Sequence, residues 1–120
     1  MDIVIADDSR VMRQIVLRTL RQAGFDHHTY VEAVDGADAL DKIGATGPEL
    51  VLSDWNMPNM TGLELLRALR AQGNEVPFGF ITSEGSPEMR ETAEQAGATF
   101  LIAKPFTPEA FEQALAGILG

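Results

Sequence analysis

The sequence contains no cysteine among its 120 residues. Disulfide bonds, thiolate zinc sites, iron–sulfur clusters and cysteine nucleophiles are therefore excluded. Basic residues are scarce, since nine lysines and arginines stand against eighteen acidic residues and leave a net charge of −9. A protein of this charge repels phosphate backbones and anionic membranes, so we expect neither a nucleic-acid partner nor a membrane partner.

Long apolar runs and targeting signals are also missing. No stretch approaches the roughly 20 apolar residues that span a bilayer. The first residues, Met1–Ile5, lack the basic start of a signal peptide. The apolar share of 45% and the charged share of 22% are typical of a globular protein. We therefore expect a single cytoplasmic domain over residues 1–120.

Short apolar runs alternate with segments of helical spacing along the chain. The runs predict five buried parallel strands, at residues 3–6, 29–33, 50–53, 78–82 and 99–103. After each run, apolar residues recur at helical spacing, and each predicted helix starts at a capping residue or ends near a glycine. Five such units predict an α/β fold of the doubly wound type, a five-stranded parallel sheet with five helices on its two faces.

Two of the predicted helices have well-marked apolar stripes. The stripe of the first helix consists of Val11, Met12, Ile15, Val16 and Leu20. Most of that helix's arginines lie off the stripe, and they are Arg10, Arg13, Arg18 and Arg21. The stripe of the last helix consists of Phe111, Leu115, Ile118 and Leu119. We expect both stripes to face the sheet.

Five polar residues follow the predicted strands, all at the same end. They are Asp7, Asp8, Asp54, Thr82 and Lys104. Ligands of an open α/β sheet bind at this end of the strands. If the first and third strands are neighbours, three carboxylates converge and raise one another's pKa values, and a hard cation such as Mg²⁺ relieves the repulsion. With a hydroxyl and an ammonium group added, the site can hold a phosphoryl group, and one carboxylate can act as nucleophile.

Each of these residues also has an ordinary structural role when it is considered alone. The Asp7-Asp8 pair could cap a helix, and Asp54 could be a turn residue. Thr82 could be a strand-end hydroxyl, and Lys104 could be a solvated loop charge. Their joint position on one rim of the sheet favours the site over these separate roles.

The motifs around these positions resemble the receiver domains of response regulators, above all those of chemotaxis. The resemblance covers the whole chain and rests on Asp7-Asp8, the run Ser53–Leu66, Thr82 and Lys104–Thr107. It implies the strand order 2-1-3-4-5. It also implies a phosphoacceptor switch, not an enzyme acting on other molecules, that receives its phosphoryl group from a histidine kinase or a phosphotransfer protein. A downstream protein target is implied as well, with the chain a monomer or a weak dimer that forms on phosphorylation.

The resemblance assigns roles in the phosphorylation site. Asp54 corresponds to the phosphoacceptor. Asp8, Asp54 and the backbone carbonyl of Asn56 correspond to direct ligands of Mg²⁺, and Mn²⁺ is a plausible substitute. Asp7 corresponds to the acid that holds a water of the metal.

Further roles concern the phosphoryl group after transfer. Lys104 corresponds to the lysine that pairs with the phosphoryl oxygens, and Thr82 to the hydroxyl that moves toward them. Asn56 and Glu84 match positions that tune hydrolysis of the aspartyl phosphate, and we expect a short-lived phosphorylated state. Pro105 follows Lys104 as in the family, where that bond is typically cis.

The chain departs from the family on its output side. The switch aromatic of strand 5 is replaced by Leu101, and the aromatic residue is Phe100, one step earlier, which should face the opposite side of the sheet. Arg90 and Ala114 replace residues with which chemotaxis members grip the flagellar motor, which argues against a motor target. We expect the surface of helix 4, strand 5 and helix 5 to control a different protein, in a process related to chemotaxis.

Four other functions are alternatives to the switch. A flavodoxin-type protein needs a glycine- and hydroxyl-rich loop after strand 1, where Asp7 and Asp8 would repel the FMN phosphate. A haloacid-dehalogenase-type phosphatase needs an acid two residues after its nucleophile, where Asn56 cannot transfer a proton. A DNA-binding regulator would need a basic patch. An interaction module that never cycles phosphate stays open, because Leu101 stands in the aromatic position.

Two aromatic features have simpler interpretations. His27 and His28 have no cluster of partner ligands in the sequence, so we expect a solvated loop before the second strand. Trp55 follows Asp54 directly, and we expect its ring to be partly exposed beside the site, where it can serve as an optical reporter.

Overall fold

The computed structural model describes residues 2–118 and contains the predicted alternation of strands and helices. The strands are β1 (Asp2–Ala6), β2 (Thr29–Ala33), β3 (Leu50–Asp54), β4 (Phe78–Thr82) and β5 (Phe100–Ala103). The helices are α1 (Arg10–Gln22), α2 (Gly36–Thr46), α3 (Gly62–Ala71), α4 (Pro87–Gln95) and α5 (Pro108–Leu115). Every predicted strand is confirmed to within one residue at each end.

All five strands are parallel, in the order β2-β1-β3-β4-β5, which confirms the predicted doubly wound sheet. In the register of the central strands, Ala6 lies beside Ser53 and Asp54 lies beside Ile81. The carboxyl ends of β1 and β3 therefore lie next to each other. This register places the residues that follow β1 beside Asp54.

Two apolar cores cover the two faces of the sheet. One contains buried residues of α2, α3 and α4, with Phe78 and Phe80 at its centre. The other contains buried residues of α1 and α5, among them Leu20 and Phe111. The rings of Phe78 and Phe80 meet edge to face at 5.1 Å, and Trp55 packs on Phe80 with the ring centroids 4.5 Å apart.

Helix α1 turns a different face toward the sheet than its apolar residues predict. Val16 and Leu20 are buried as expected, but Val11 is 65% exposed and Ile15 is 38% exposed. Arg13 is buried in their place. The spacing of Arg13, Val16 and Leu20 is i, i+3, i+7, which is a single stripe of a helix. The expectation that Val11 and Ile15 face the core is therefore wrong.

Side-chain caps begin the helices, as the sequence predicts. Thr61 and Glu64 form a capping box at the start of α3, and Ser86 and Thr107 cap α4 and α5. Gly47, at φ 58°, ends α2, whereas Gly44 lies inside that helix. The stripe of α5 includes buried Phe111 and Leu115. Ile118 lies beyond the helix end but packs against the same core, and Leu119 lies outside the described residues.

The loop between α1 and β2 is only partly the solvated segment that the sequence predicts. His27 is exposed, but the side chain of His28 is only 13% exposed, and its Nδ1 lies 2.8 Å from Oε1 of Glu49. Neither histidine joins a cluster of metal ligands within residues 2–118. In the same part of the chain, no helix is long and apolar enough to cross a bilayer.

Candidate functional site

The ends of β1 and β3 bring three carboxylates together. Asp7, Asp8 and Asp54 each offer one oxygen atom, and these atoms all lie within 4.8 Å of one another. Asp7 is buried, Asp54 is half-buried and Asp8 is exposed. We call these three residues the acidic cluster. The cluster is therefore shielded from solvent at Asp7 and open to solvent at Asp8.

Backbone contacts fix the first part of the acidic cluster. The amide of Asp7 donates to the carbonyl of Ala33 at 3.0 Å, and Oδ1 of Asp7 accepts from the amide of Ser9 at 2.9 Å. The N-cap of α1 is Ser9, whose hydroxyl accepts from the amide of Met12. Helix capping therefore does not occupy the carboxylates of Asp7 and Asp8.

Asp54 sits where β3 passes close beneath the start of α3. Its Oδ1 accepts from the amide of Trp55 at 2.8 Å, and its carbonyl accepts from the hydroxyl of Ser53 at 2.8 Å. The amide of Gly62 donates to the carbonyl of Trp55 at 2.9 Å. A Cβ at position 62 would collide with the carbonyl oxygen of Asp54. Glycine at this position is thus a steric requirement of the site.

Lys104 brings a positive charge to the acidic cluster from the end of β5. Its Nζ lies 3.8 Å from Oδ1 of Asp54 and 3.9 Å from Oδ2 of Asp7. These separations permit an ion pair but exceed hydrogen-bond length. The peptide bond between Lys104 and Pro105 is cis, in agreement with the resemblance.

Burial is the largest influence on the pKa values of Asp7 and Asp54. Burial, opposed by the hydrogen bond from Ser9, raises the pKa of Asp7 to about 6. Burial also raises the pKa of Asp54, although the ammonium of Lys104 acts to lower it. One lysine therefore does not offset the cost of ionising both groups. Hard oxygen donors with uncompensated negative charge suit Mg²⁺, which needs only one or two carboxylates and retains several waters.

Thr82 and Glu84 lie on the neighbouring strand end and loop. Thr82 is buried, its Oγ1 accepts from the amide of Glu84 at 3.2 Å, and its carbonyl accepts from the amide of Lys104 at 2.7 Å. Glu84 is exposed in the β4–α4 loop. Asn56 is exposed on the other side of the site, where it lines a cavity of about 380 Å³ with Asp8. The residues that follow β1, β3, β4 and β5 thus gather at one end of the sheet, and we call the space between them the cleft.

The two residues of the switch position lie on opposite faces, as the alternation predicts. Leu101 pairs in register with Phe80 and packs against the core of α2, α3 and α4. Phe100 pairs with Gly79 and packs against the core of α1 and α5. Phe100 therefore does not take the place of an aromatic side chain at position 101.

Two residues outside the acidic cluster contact the loops of this site, and neither is among the predicted site residues. Asn59 has a φ of 66°, and its side-chain amide donates to Oδ2 of Asp35 at 2.7 Å, which ties the β3–α3 loop to the start of α2. An asparagine after proline in a loop is a signal for this left-handed conformation. The other residue is Arg13, which is buried in line with Val16 and Leu20 and donates to the carbonyl of Asp7.

Comparisons with known proteins agree with this architecture. The family model described as "Response regulator receiver domain" matches residues 3–116. The chemotaxis protein CheY1 of Helicobacter pylori is 39% identical, and the alignment covers all of this chain and 98% of that protein. A CheY homolog of Campylobacter jejuni is 37% identical over all of this chain and 93% of its own length.

Solved structures give the same result. The chemotaxis protein CheY4 of Vibrio cholerae superposes with a TM-score of 0.85 at 37% identity, over 98% of each chain. The receiver domain of a response regulator, NarL of Mycobacterium tuberculosis, superposes with a TM-score of 0.81 at 29% identity. On the strength of both the family match and these full-length relatives, the chain belongs to the response regulator receiver domains of two-component signalling, and it is of the CheY type.

Proposed function

We propose that the protein is a phosphoacceptor switch that works in the cytoplasm and takes its phosphoryl group on Asp54. The observation that carries this proposal is the position of Asp54, whose carboxylate lies within 4.8 Å of the other two members of the acidic cluster and 3.8 Å from the ammonium of Lys104. The nucleophile Asp54, the ammonium of Lys104 and a metal ion held by the acidic cluster would then all contact the same phosphoryl group. The donor is a histidine kinase or a phosphotransfer protein.

The transfer is a displacement at phosphorus. A carboxylate oxygen of Asp54 attacks the phosphorus of a phosphohistidine, the new P–O bond forms, and the P–N bond breaks. The imidazole leaves with the bonding electrons, and the product is an acyl phosphate. Lys104 stabilises the charge on the phosphoryl oxygens from a side chain that already faces Asp54.

The acidic cluster is proposed to hold the cation that this reaction needs. Asp8, Asp54 and the backbone carbonyl of Asn56 would bind Mg²⁺, or Mn²⁺ in its place, and Asp7 would hold a metal-bound water. When bound, the ion supplies positive charge for the oxygens of the transferring group. The raised pKa of Asp7 and Asp54 supports this assignment, because a cation would relieve the cost of ionising both groups.

Two exposed residues are proposed to set the lifetime of the phosphorylated state. Asn56 and Glu84 are both exposed beside the cleft, on the β3–α3 and β4–α4 loops. From these positions they can limit or admit the water that attacks the aspartyl phosphate. The residue types at these two positions are those that the family resemblance associates with rapid hydrolysis.

An apolar groove beside Lys104 supports a protein as the phosphodonor. Val11 and Ile15 of α1 are large apolar side chains that face solvent. The adjoining groove, of about 420 Å³, is lined by Met12, Ile15, Thr19, Lys104, Pro105 and Phe106. Exposed apolar surface next to a reactive group is typical of a protein-binding face. A donor that docks on this groove would bring its phosphohistidine toward Asp54.

The output of the switch is proposed to be the surface of α4, β5 and α5. In the unphosphorylated protein Thr82 is bonded to the β4–α4 loop through the amide of Glu84. A phosphoryl group on Asp54 competes for the hydroxyl of Thr82, and its movement releases that loop and shifts the population of α4–β5 arrangements. The target is a protein in a process related to chemotaxis, and Arg90 and Ala114 on this surface favour a target other than the flagellar motor.

The test is intact-mass spectrometry after incubation with acetyl phosphate, in Mg²⁺ or in EDTA. We expect the wild-type protein to gain the mass of one phosphoryl group in Mg²⁺ only. Asp54→Ala should gain nothing, whereas the control Asp41→Asn, an exposed carboxylate on α2, should behave as the wild type.

Two outcomes would contradict the proposal. A gain that persists in Asp54→Ala would place the acceptor elsewhere. The absence of any gain in wild type, with either acetyl phosphate or a phosphohistidine protein as donor, would favour an interaction module that does not cycle phosphate.

A further inference from the structure

Arg13 is a buried cation that the proposed phosphoryl transfer does not use. Its side chain is only 10% exposed, although it lies on α1 and reaches Glu32 on the edge strand β2. Its Nε donates to Oε1 of Glu32 at 3.0 Å, and its Nη1 donates to the backbone carbonyl of Asp7 at 2.6 Å. The guanidinium thus joins helix α1, strand β2 and the loop that carries two members of the acidic cluster.

The carbonyl that Arg13 holds belongs to the peptide unit between Asp7 and Asp8. The orientation of this peptide sets the direction of the Asp8 amide, and with it the direction in which the Asp8 side chain leaves the backbone. The preceding peptide is fixed as well, because the amide of Asp7 donates to Ala33 of β2. Arg13 therefore completes the set of contacts that fixes the backbone of the β1–α1 loop.

The two hydrogen bonds need an arginine rather than a lysine. Glu32 and the carbonyl of Asp7 accept from two different nitrogen atoms of the guanidinium. Because the group is planar, it presents these two donors in fixed directions. The carboxylate of Glu32 is 43% exposed, so it holds the outer edge of the guanidinium while the inner edge is turned to the loop. A lysine ammonium is a compact charge on a flexible chain, so it would not hold both partners in these fixed directions.

We propose that Arg13 is a positioning residue for the cation site, because it fixes the Asp7–Asp8 peptide in the orientation that directs both carboxylates into the acidic cluster. This inference depends on the proposed function only in assigning a divalent cation to that cluster. It gives Arg13 a role that its charge alone would not give it. A positive charge so close to the cluster repels Mg²⁺, whereas a correctly held loop favours Mg²⁺ binding.

Loss of the Arg13 charge should tighten Mg²⁺ binding, whereas loss of its hold on the loop should weaken it. The direction of the change in affinity therefore tests the proposal. We would titrate Mg²⁺ at pH 8 into wild type, Arg13→Gln and Arg13→Lys, following the fluorescence of Trp55, whose amide contacts Asp54. Arg18→Gln is the matched control, since Arg18 is exposed on the same helix and the change in net charge is the same. Isothermal titration calorimetry gives the affinity independently of the fluorophore.

We expect Arg13→Gln to weaken Mg²⁺ binding by about 10-fold or more, as is usual when a residue that orients metal ligands is lost. Arg13→Lys should retain the charge and still bind Mg²⁺ more weakly than wild type. Glu32→Gln should weaken binding less than Arg13→Gln, because the bond to the Asp7 carbonyl remains. Arg18→Gln should leave binding within about twofold of wild type, since an exposed charge is screened.

Unchanged or tighter Mg²⁺ binding in Arg13→Gln would overturn the positioning role, even if the variant were less stable in EDTA. If Arg13→Gln does not fold, Arg13→Lys carries the same test, and wild-type affinity in that variant would overturn the role. An absence of Mg²⁺ binding in the wild-type protein would instead overturn the proposed cation site itself. The two failures are therefore distinguishable.

Discussion

The ring of Phe100 lies across Gly79 on the neighbouring strand, in the space that a side chain at position 79 would fill. A Cβ on Gly79 would overlap three atoms of that ring. The pair sits on the face of the sheet that packs against α1 and α5. Glycine here is therefore not a weak point of the strand, because the aromatic ring from β5 covers the exposed backbone of β4.

This relationship predicts that Gly79→Ala destabilises the protein. An added methyl group must displace the ring of Phe100, and overpacking of this kind costs about 1–3 kcal/mol. In a Phe100→Leu background the smaller side chain leaves space for the methyl group, so the same change should cost much less. Urea denaturation of the four proteins in this double-mutant cycle measures the coupling.

Gly44→Ala is the control for this cycle. Gly44 lies inside α2, and no atom beyond its chain neighbours and its own helix backbone lies within 4 Å of where its Cβ would be. Replacing a helical glycine by alanine should raise the free energy of unfolding by about 0.5–1 kcal/mol. Equal effects of Gly79→Ala in the wild-type and Phe100→Leu backgrounds would contradict the steric explanation.

The architecture could be predicted from local sequence signals. Each strand is a short apolar run bounded by polar or turn residues, and each helix has its own cap, so neither depends on distant contacts. The position of Asp54 and Lys104 on one rim also follows, because parallel strands end at the same edge. The order of the strands came from the family resemblance, since local patterns do not fix which strands are neighbours.

Contacts between distant residues could not be predicted in the same way. Arg13 is buried because Glu32 and the carbonyl of Asp7 satisfy its guanidinium, and neither partner is apparent from the helix itself. His28 is mostly buried because it meets Glu49, the residue before β3. In both cases a polar residue is buried by a partner on another element of the chain, and only the fold shows that partner.

We expect Asp7→Asn to stabilise the metal-free protein at pH 8. Because the pKa of Asp7 is raised to about 6, the folded protein binds a proton there more tightly than the unfolded chain does. The stability of the metal-free protein therefore falls as the pH rises from about 4 to 6, and the full cost is present at pH 8. Asparagine has no charge to ionise and still accepts from the amide of Ser9. The gain should be about 1–2 kcal/mol, measured by urea denaturation in EDTA.

The same variant should lose most of the stabilisation that Mg²⁺ gives the wild type. Asp8→Asn is the comparison, because its carboxylate is exposed and its removal should change metal-free stability less. A metal-free Asp7→Asn protein that unfolds more easily than wild type at pH 8 would show that the Asp7 carboxylate does not strain the fold.

Mg²⁺ affinity should fall as the pH falls through 6. Protons compete with the cation at Asp7, whose pKa in the metal-free protein is about 6. Below that pH, binding of Mg²⁺ must displace one proton, so the dissociation constant should rise by about 10-fold for each pH unit. Calorimetric titrations between pH 5 and 8 measure this dependence. In Asp7→Asn the affinity should be lower and should depend less on pH than in wild type, and a wild-type affinity that is equal at pH 5 and pH 8 would contradict the competition.

Thr82→Val should separate phosphorylation from the response of the α4–β5–α5 surface. Valine keeps the branched shape that fits the buried end of β4, but it has no hydroxyl to leave the amide of Glu84 for a phosphoryl group. The variant should lose about 0.5–1.5 kcal/mol of stability with that hydrogen bond and still gain one phosphoryl group on Asp54.

The measurement for Thr82→Val is amide hydrogen exchange in α4 and β5, before and after phosphorylation by acetyl phosphate. Wild type should change its protection around Leu101 and Arg90, and Thr82→Ser, which keeps the hydroxyl, should change it in the same way. Thr82→Val should show little change at equal occupancy of Asp54, as judged by intact mass. If its exchange responds as strongly as wild type, the hydroxyl does not couple the two regions, and the signal must pass through Lys104, whose amide bonds the carbonyl of Thr82 at 2.7 Å.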